Sequence, residues 1–247
     1  MGVPQIAQAL ARRCDAAGMN RALRGEYLAA MNLESWVVRA RPAAAAALAA
    51  AAPVAGAAPV ASGLDWPQLR ERVAGCTRCA LSATRTQTVF GVGNTQADWL
   101  IVGEAPGADE DRQGEPFVGR AGQLLNSMLR AIGLSREQVF IANVLKCRPP
   151  GNRDPAPQEI AECLPYLERQ IALIKPKIML AVGRIASQAL LHTDVPLGRL
   201  RQQVHAFGAS RVPLVVTYHP AYLLRTPVDK RKAWEDLKFA RGVCARV

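Results

Sequence analysis

The stretch WLIVGEAPGADEDRQGEPFVGRAGQLLN, Trp99 to Asn126, runs from an apolar segment through a glycine- and carboxylate-rich turn into an amphipathic one. Leu100, Ile101 and Val102 stop at Gly103, the pattern of a short buried strand, and from Ala121 onward Leu124, Leu125, Met128 and Leu129 share one helical face. Strand, loop and helix in this order form the repeating unit of a parallel α/β sheet. In such sheets ligands bind beyond the carboxyl ends of the strands, so Glu104 to Gly107 stand where a site would be built. Pro106 and the flanking glycines let backbone approach a flat ligand closely.

Working downstream, Val139 to Leu145 reads as a second strand, Gln158 to Ile174 as a helix kinked or broken at Pro165, and Ile178 to Val182 as a third strand followed by a helix to about Leu191. Val212 to Thr217 is a fourth strand, ended by Tyr218-His219-Pro220, and Trp234, Leu237 and Ala240 mark a final amphipathic helix. Strands alternating with helices predict an α/β three-layer sandwich around a central parallel four-stranded sheet. Glu104, Asn143 and His219 then meet at one edge of that sheet, where a single pocket would lie.

Upstream, Thr84 to Gly93 alternates and predicts a strand or hairpin feeding Trp99, while Asp65 is placed to cap a helix from Trp66 to about Ala74. Ala40 to Gly63 collapses to alanine with Pro42, Pro53 and Pro59, a low-complexity linker. The expected organisation is a helical appendage over residues 1–40, an Ala/Pro-rich linker over 41–63, and a catalytic domain over 64–247.

The net charge of +11 and a pI near 9.9 suit a polyanionic partner. Between Arg199 and Lys232 seven basic residues face one acid, Asp229, so this segment is the expected phosphate-contacting face. No segment approaches the length and apolarity of a membrane span, and the first residues lack the pattern of a signal peptide; a cytoplasmic protein with no membrane partner is expected.

Of six cysteines, Cys76 and Cys79 form a C-x2-C pair, with Cys147 and Cys163 further on. This is thiolate ligand spacing for a metal site, and spacing alone leaves zinc and an iron-sulfur cluster both open. Cys14 and Cys244 read as ordinary thiols.

The segments GEAPGADEDRQGEPFVGRAGQLL, IANVLKCRPPGNRDP and YHPAYLLR, with C-x2-C upstream, resemble family 4 uracil-DNA glycosylases, the iron-sulfur-containing branch of that superfamily. The likeness covers about residues 65 to 245 and implies a uracil-DNA glycosylase-like fold. It also implies a repair enzyme, a monomer in the cytoplasm and associated with the nucleoid, that releases uracil from uracil-containing DNA and leaves an abasic site. By the same resemblance Cys76, Cys79, Cys147 and Cys163 match four ligands of a structural [4Fe-4S] cluster, and Glu104, Ala105 and Pro106 match the first active-site motif. Phe117 matches the aromatic that stacks on uracil, Asn143 the residue that reads its polar edge, and His219 the histidine of the second motif. Leu223 or Leu224 matches the residue inserted into DNA, and within the basic segment Arg225 and Lys230 are the residues expected on the phosphates.

The residue types suit that chemistry. A glycosylase must hold a base out of the stack in a tight pocket. Phe117 offers a flat apolar wall, Asn143 a donor and an acceptor on one amide, and His219 a group to stabilise a departing uracil anion. The superfamily's best-studied branch has a water-orienting aspartate and a bulky tyrosine where this chain has Ala105 and Gly107, which leaves Glu104 and Glu110 as candidates to position water. A different class of reading is a non-catalytic, metal-containing nucleic-acid-binding module.

Overall fold

The computed structural model describes residues 61–246; the expected appendage and most of the expected linker lie outside them. Ala61, near the linker's end, is already buried in a cluster with Leu69, Val73 and Leu81, so this linker residue packs as part of the folded unit.

In chain order the elements are α1 (Trp66–Ala74), β1 (Val92–Gly93), β2 (Trp99–Gly103), α2 (Ala108–Gln113), α3 (Arg120–Ala131), β3 (Phe140–Asn143) and α4 (Pro157–Ile174). They continue as β4 (Ile178–Val182), α5 (Arg184–Leu191), α6 (Leu197–Leu200), β5 (His205–Phe207), β6 (Val212–Thr217), α7 (Pro220–Arg225) and α8 (Lys230–Cys244). Asp65 caps α1 as expected, its side chain accepting from the Gln68 N–H at 2.9 Å. Helix α4 continues through Pro165, which removes one N–H from the ladder without ending it.

The sheet has the order β1-β3-β2-β4-β6-β5. Its four inner strands are mutually parallel, and the short edge strands β1 and β5 pair antiparallel, extending the expected four strands to six. Only Val92 and Gly93 of the expected upstream hairpin pair as strand.

Alternate strand residues feed two cores. Leu100, Val102, Met179, Ala181, Leu214 and Val216 pack with α4 and α5 on one face; Ile101, Ile141, Leu180, Val182 and Val215 pack with α3, α7 and α8 on the other. Because both faces are covered, the inner strands carry continuous apolar runs rather than an apolar-polar alternation. The chain leaves β2 for β3 on one side and returns for β4 on the other, so the sheet order reverses about β2. A crevice opens at the carboxyl ends of the strands there.

Candidate active site and cysteine pocket

Glu104, Ala105, Pro106, Gly107, Glu110, Phe117, Asn143, His219 and Arg225 line one cleft of about 420 Å³ in that crevice. Strand register explains the convergence: Gly103 pairs with Asn143 across β2 and β3, and His219 follows β6 by two residues. Pro149, Asn152, Arg153 and Asp154, from the loop after β3, complete the rim.

Asn143 is buried, and its Oδ1 is the buried side-chain oxygen that finds no hydrogen-bond partner among the described residues. A buried acceptor without a donor costs on the order of 1–3 kcal/mol, which a ligand bringing an N–H to the cleft would recover. Beneath it the fully buried Lys146 Nζ donates to the Asn143 carbonyl at 2.9 Å and to Gln170 Oε1 at 2.7 Å, fixing the end of β3 from below. Gly103 lets the cleft close: a Cβ there would lie 2.3 Å from Asn143 Oδ1 and 2.6 Å from Phe117 Cζ.

His219 is the N-cap of α7, and its Nδ1 accepts from the Ala221 N–H at 3.1 Å. Burial, reinforced by Arg225, pushes its pKa down to about 4, so the ring is neutral at pH 7. With Nδ1 accepting, the neutral ring carries its proton on Nε2, a ready donor. The ring lies 5.6 Å from that of Phe117, tilted by 31°.

Burial, helped by Asp154 and opposed by Arg184, raises the Glu104 carboxyl to about 7. Glu110, the other candidate to position water, is differently employed. Its Oε2 accepts from the Gly107 N–H at 3.1 Å and its Oε1 from those of Val118 and Gly119 at 3.0 and 3.3 Å, so both oxygens hold loops together. Asp111 likewise accepts from the Thr86 N–H, and Asp109 pairs with Arg112.

The two candidate wedge leucines differ. Leu223 is fully buried against α3 and α8, whereas Leu224 is partly exposed, so only Leu224 stands at the surface. The expected basic face also divides. Arg225 is exposed at the cleft and Lys230 and Arg231 are exposed at the start of α8, but Arg201 is tied to the buried Asp236 at 2.7 Å with its side chain 12% exposed. Arg211 precedes β6, at the end of that strand opposite His219.

Away from the cleft, Cys76, Cys79, Cys147 and Cys163 line a second, small pocket with Arg85, Lys146 and Tyr166. Three donors already point at sulfur: Arg85 Nη1 on Cys147 Sγ at 3.0 Å, the Lys146 N–H on Cys163 Sγ at 3.1 Å, and Tyr166 Oη on Cys76 Sγ at 3.3 Å. Among the described residues no group of three or more His, Cys, Asp or Glu is set to hold a single metal ion. Four thiols around one pocket, with N–H donors and a buried lysine beside them, are the donor set that a thiolate-held metal group would require.

A model of the uracil DNA glycosylase superfamily matches residues 90–238. The chain belongs to that superfamily. It is 42% identical over 180 residues to a type-4 uracil-DNA glycosylase of Archaeoglobus fulgidus, covering 70% of this chain and 90% of the relative. A type-4 uracil-DNA glycosylase of Thermotoga maritima is 42% identical over 176 residues, covering 70% and 91%. A type-5 uracil-DNA glycosylase of Thermus thermophilus is more distant, at 33% over 154 residues and 56% and 68% of the two chains. No helix among the described residues is long and apolar enough to cross a membrane.

Sequence reasoning missed the superfamily member's supporting residues. Lys146, Gln170, Arg136 and the anchoring use of Glu110 carry no local signal, because each acts on a segment distant in sequence or on backbone atoms.

Proposed function

We propose that this chain is a uracil-DNA glycosylase that hydrolyses the N-glycosidic bond of deoxyuridine in DNA, releasing uracil and leaving an abasic site. The observation that carries the reading is the unpartnered Asn143 Oδ1 in a cleft walled by Phe117. Uracil meets that amide with an N–H donor at N3 and a carbonyl acceptor at O4, whereas cytosine presents the reverse at both positions. The flipped base stacks on Phe117, as bases do on aromatic walls.

In the reaction the C1′–N1 bond breaks with its electron pair passing to uracil, and water supplies the new bond to C1′. The neutral His219 Nε2–H donates to the uracil O2 as negative charge develops there. Glu104 is the cleft carboxyl we assign to the water, since Glu110 is occupied by backbone N–H groups and Asp154 pairs with Arg184. Leu224 fills the space the base vacates, while Arg225 and Lys230 contact phosphates. Cys76, Cys79, Cys147 and Cys163 would hold a [4Fe-4S] cluster, which supplies structure by joining α1, the loops before β1 and after β3, and α4. The protein works as a monomer in the cytoplasm, on the nucleoid.

A single-turnover excision assay on an oligonucleotide with one uracil tests the proposal: release of free uracil is expected, and binding without release would leave only a nucleic-acid-binding module. Gly103→Ala should lower that excision by on the order of a hundredfold, because its Cβ would part Asn143 from Phe117. Wild-type excision by this variant would mean that the two side chains do not share the base. Arg225→Ala and Lys230→Ala should weaken binding to all DNA sequences alike and each reduce the salt slope by about one. An unchanged slope for both would move the DNA face elsewhere.

A further inference from the structure

Phe117 stands at φ 55°, a left-handed backbone conformation that a β-carbon disfavours and an aromatic residue seldom adopts. Its own side chain cannot hold it there, so the restraint must come from neighbours. Two charged side chains act on the four residues 116–119 from opposite sides of the backbone. Arg136 opens the short turn Arg136–Gln138 ahead of β3. Its Nη1 donates to the Phe117 carbonyl at 3.2 Å and to Asn126 Oδ1 at 3.4 Å, and its Nη2 donates to the Pro116 carbonyl. Glu110 takes the N–H groups of Val118 and Gly119. The first turn of α3 closes the third side, for a Cβ on Gly122 would fall 1.8 Å from the Phe117 carbonyl oxygen.

Arg136 does not line the cleft, and the acceptors it holds are neutral oxygens rather than a carboxylate. Its planar fork is therefore used for geometry. We propose that Arg136 is a positioning residue for uracil excision: by gripping two successive carbonyls it fixes the Phe117 ring in the plane on which uracil stacks, and in its contact with His219. This rests on the uracil reading of the cleft. A lysine at the same place keeps the charge but offers a point donor that cannot span both carbonyls.

The test compares Arg136→Lys and Arg136→Ala with wild type in melting temperature, affinity for uracil-free duplex, and single-turnover excision of uracil. Excision is expected to fall on the order of tenfold to a hundredfold in both variants, as for a misplaced reacting partner. Affinity for uracil-free duplex should stay unchanged, and millimolar ethylguanidinium should restore part of the rate to Arg136→Ala but none to Arg136→Lys. Wild-type excision by Arg136→Lys would overturn the proposal, as would a parallel loss of melting temperature, duplex affinity and excision. A fluorine label on Phe117 gives a readout that needs neither DNA nor the alanine variant. Its resonance should shift or broaden in Arg136→Lys, and an unchanged resonance would also overturn the proposal. Should the wild type itself release no uracil, the function assigned to the cleft fails, while the fluorine signal still reports on the grip.

Discussion

His219→Ala is expected to slow single-turnover excision of uracil by on the order of a hundredfold to a thousandfold while leaving affinity for uracil-containing DNA near the wild-type value. The asymmetry follows from when charge develops. In the bound state O2 is a neutral carbonyl and the Nε2–H bond to it is one weak interaction among several; as the C1′–N1 bond breaks, O2 gains negative charge and the same donor binds it more strongly. The donor is fixed in advance, because the Ala221 N–H holds Nδ1 and burial keeps the ring neutral with a pKa of about 4. Acidification from pH 7 to 5.5 therefore leaves His219 unprotonated. Glu104 behaves differently: with its carboxyl at about 7 it gains a proton on the same descent and loses the ability to accept one from water. Excision should fall as pH drops through about 7, and His219→Ala should keep that acid limb at its lower absolute rate. A His219→Ala protein that excises at the wild-type rate would return this histidine to a capping role alone.

Cys163→Ser should lose the brown colour of an iron-sulfur protein together with most of its soluble yield. Cys163 lies buried in α4, where burial pushes the free thiol up to about 12, so thiolate character there requires compensating positive charge. The ammonium of Lys146 is the buried cation next to it, with Arg85 on Cys147. Around these thiols an apolar cluster that includes Leu69, Val73, Leu81, Phe90 and Tyr166 packs α1 against α4. Binding a metal group there contributes directly to folding, and a domain stable by only about 5–15 kcal/mol tolerates its loss poorly. Iron analysis and the visible spectrum decide the matter. A folded wild type carrying zinc and no iron would refute the cluster, and a Cys163→Ser protein with undiminished iron would remove Cys163 from its ligands.

Local sequence determined the parts of this protein that depend on periodicity and chain ends. The four apolar runs that form β2, β3, β4 and β6 are legible because a strand covered on both faces needs unbroken apolar residues, and the glycine or polar residue that stops each run marks a strand end. Glu104 and His219 are legible for that reason, since each lies just beyond such an end, whereas the apolar run expected over Val139 to Leu145 continues past Asn143 and the strand itself stops there. Asp65 shows itself as a cap by preceding Trp66-Pro67. The six-residue helices α2 and α7 are hidden inside stretches rich in glycine, proline and charge, and β1 and β5 are too short to show an alternation. Tertiary structure alone decided which long side chains reach which distant atoms. Arg201 looks like a free phosphate contact until Asp236, 35 residues away, neutralises it, and Arg211 lies at the wrong end of β6 for the cleft. Leu223 and Leu224 are adjacent and chemically identical, yet the orientation of α7 on α3 buries one and leaves the other at the surface. Glu110, Arg136 and Lys146 hold the cleft in shape through backbone N–H groups or carbonyls, and these have the same chemistry at nearly every residue, so nothing in the local pattern names the partner.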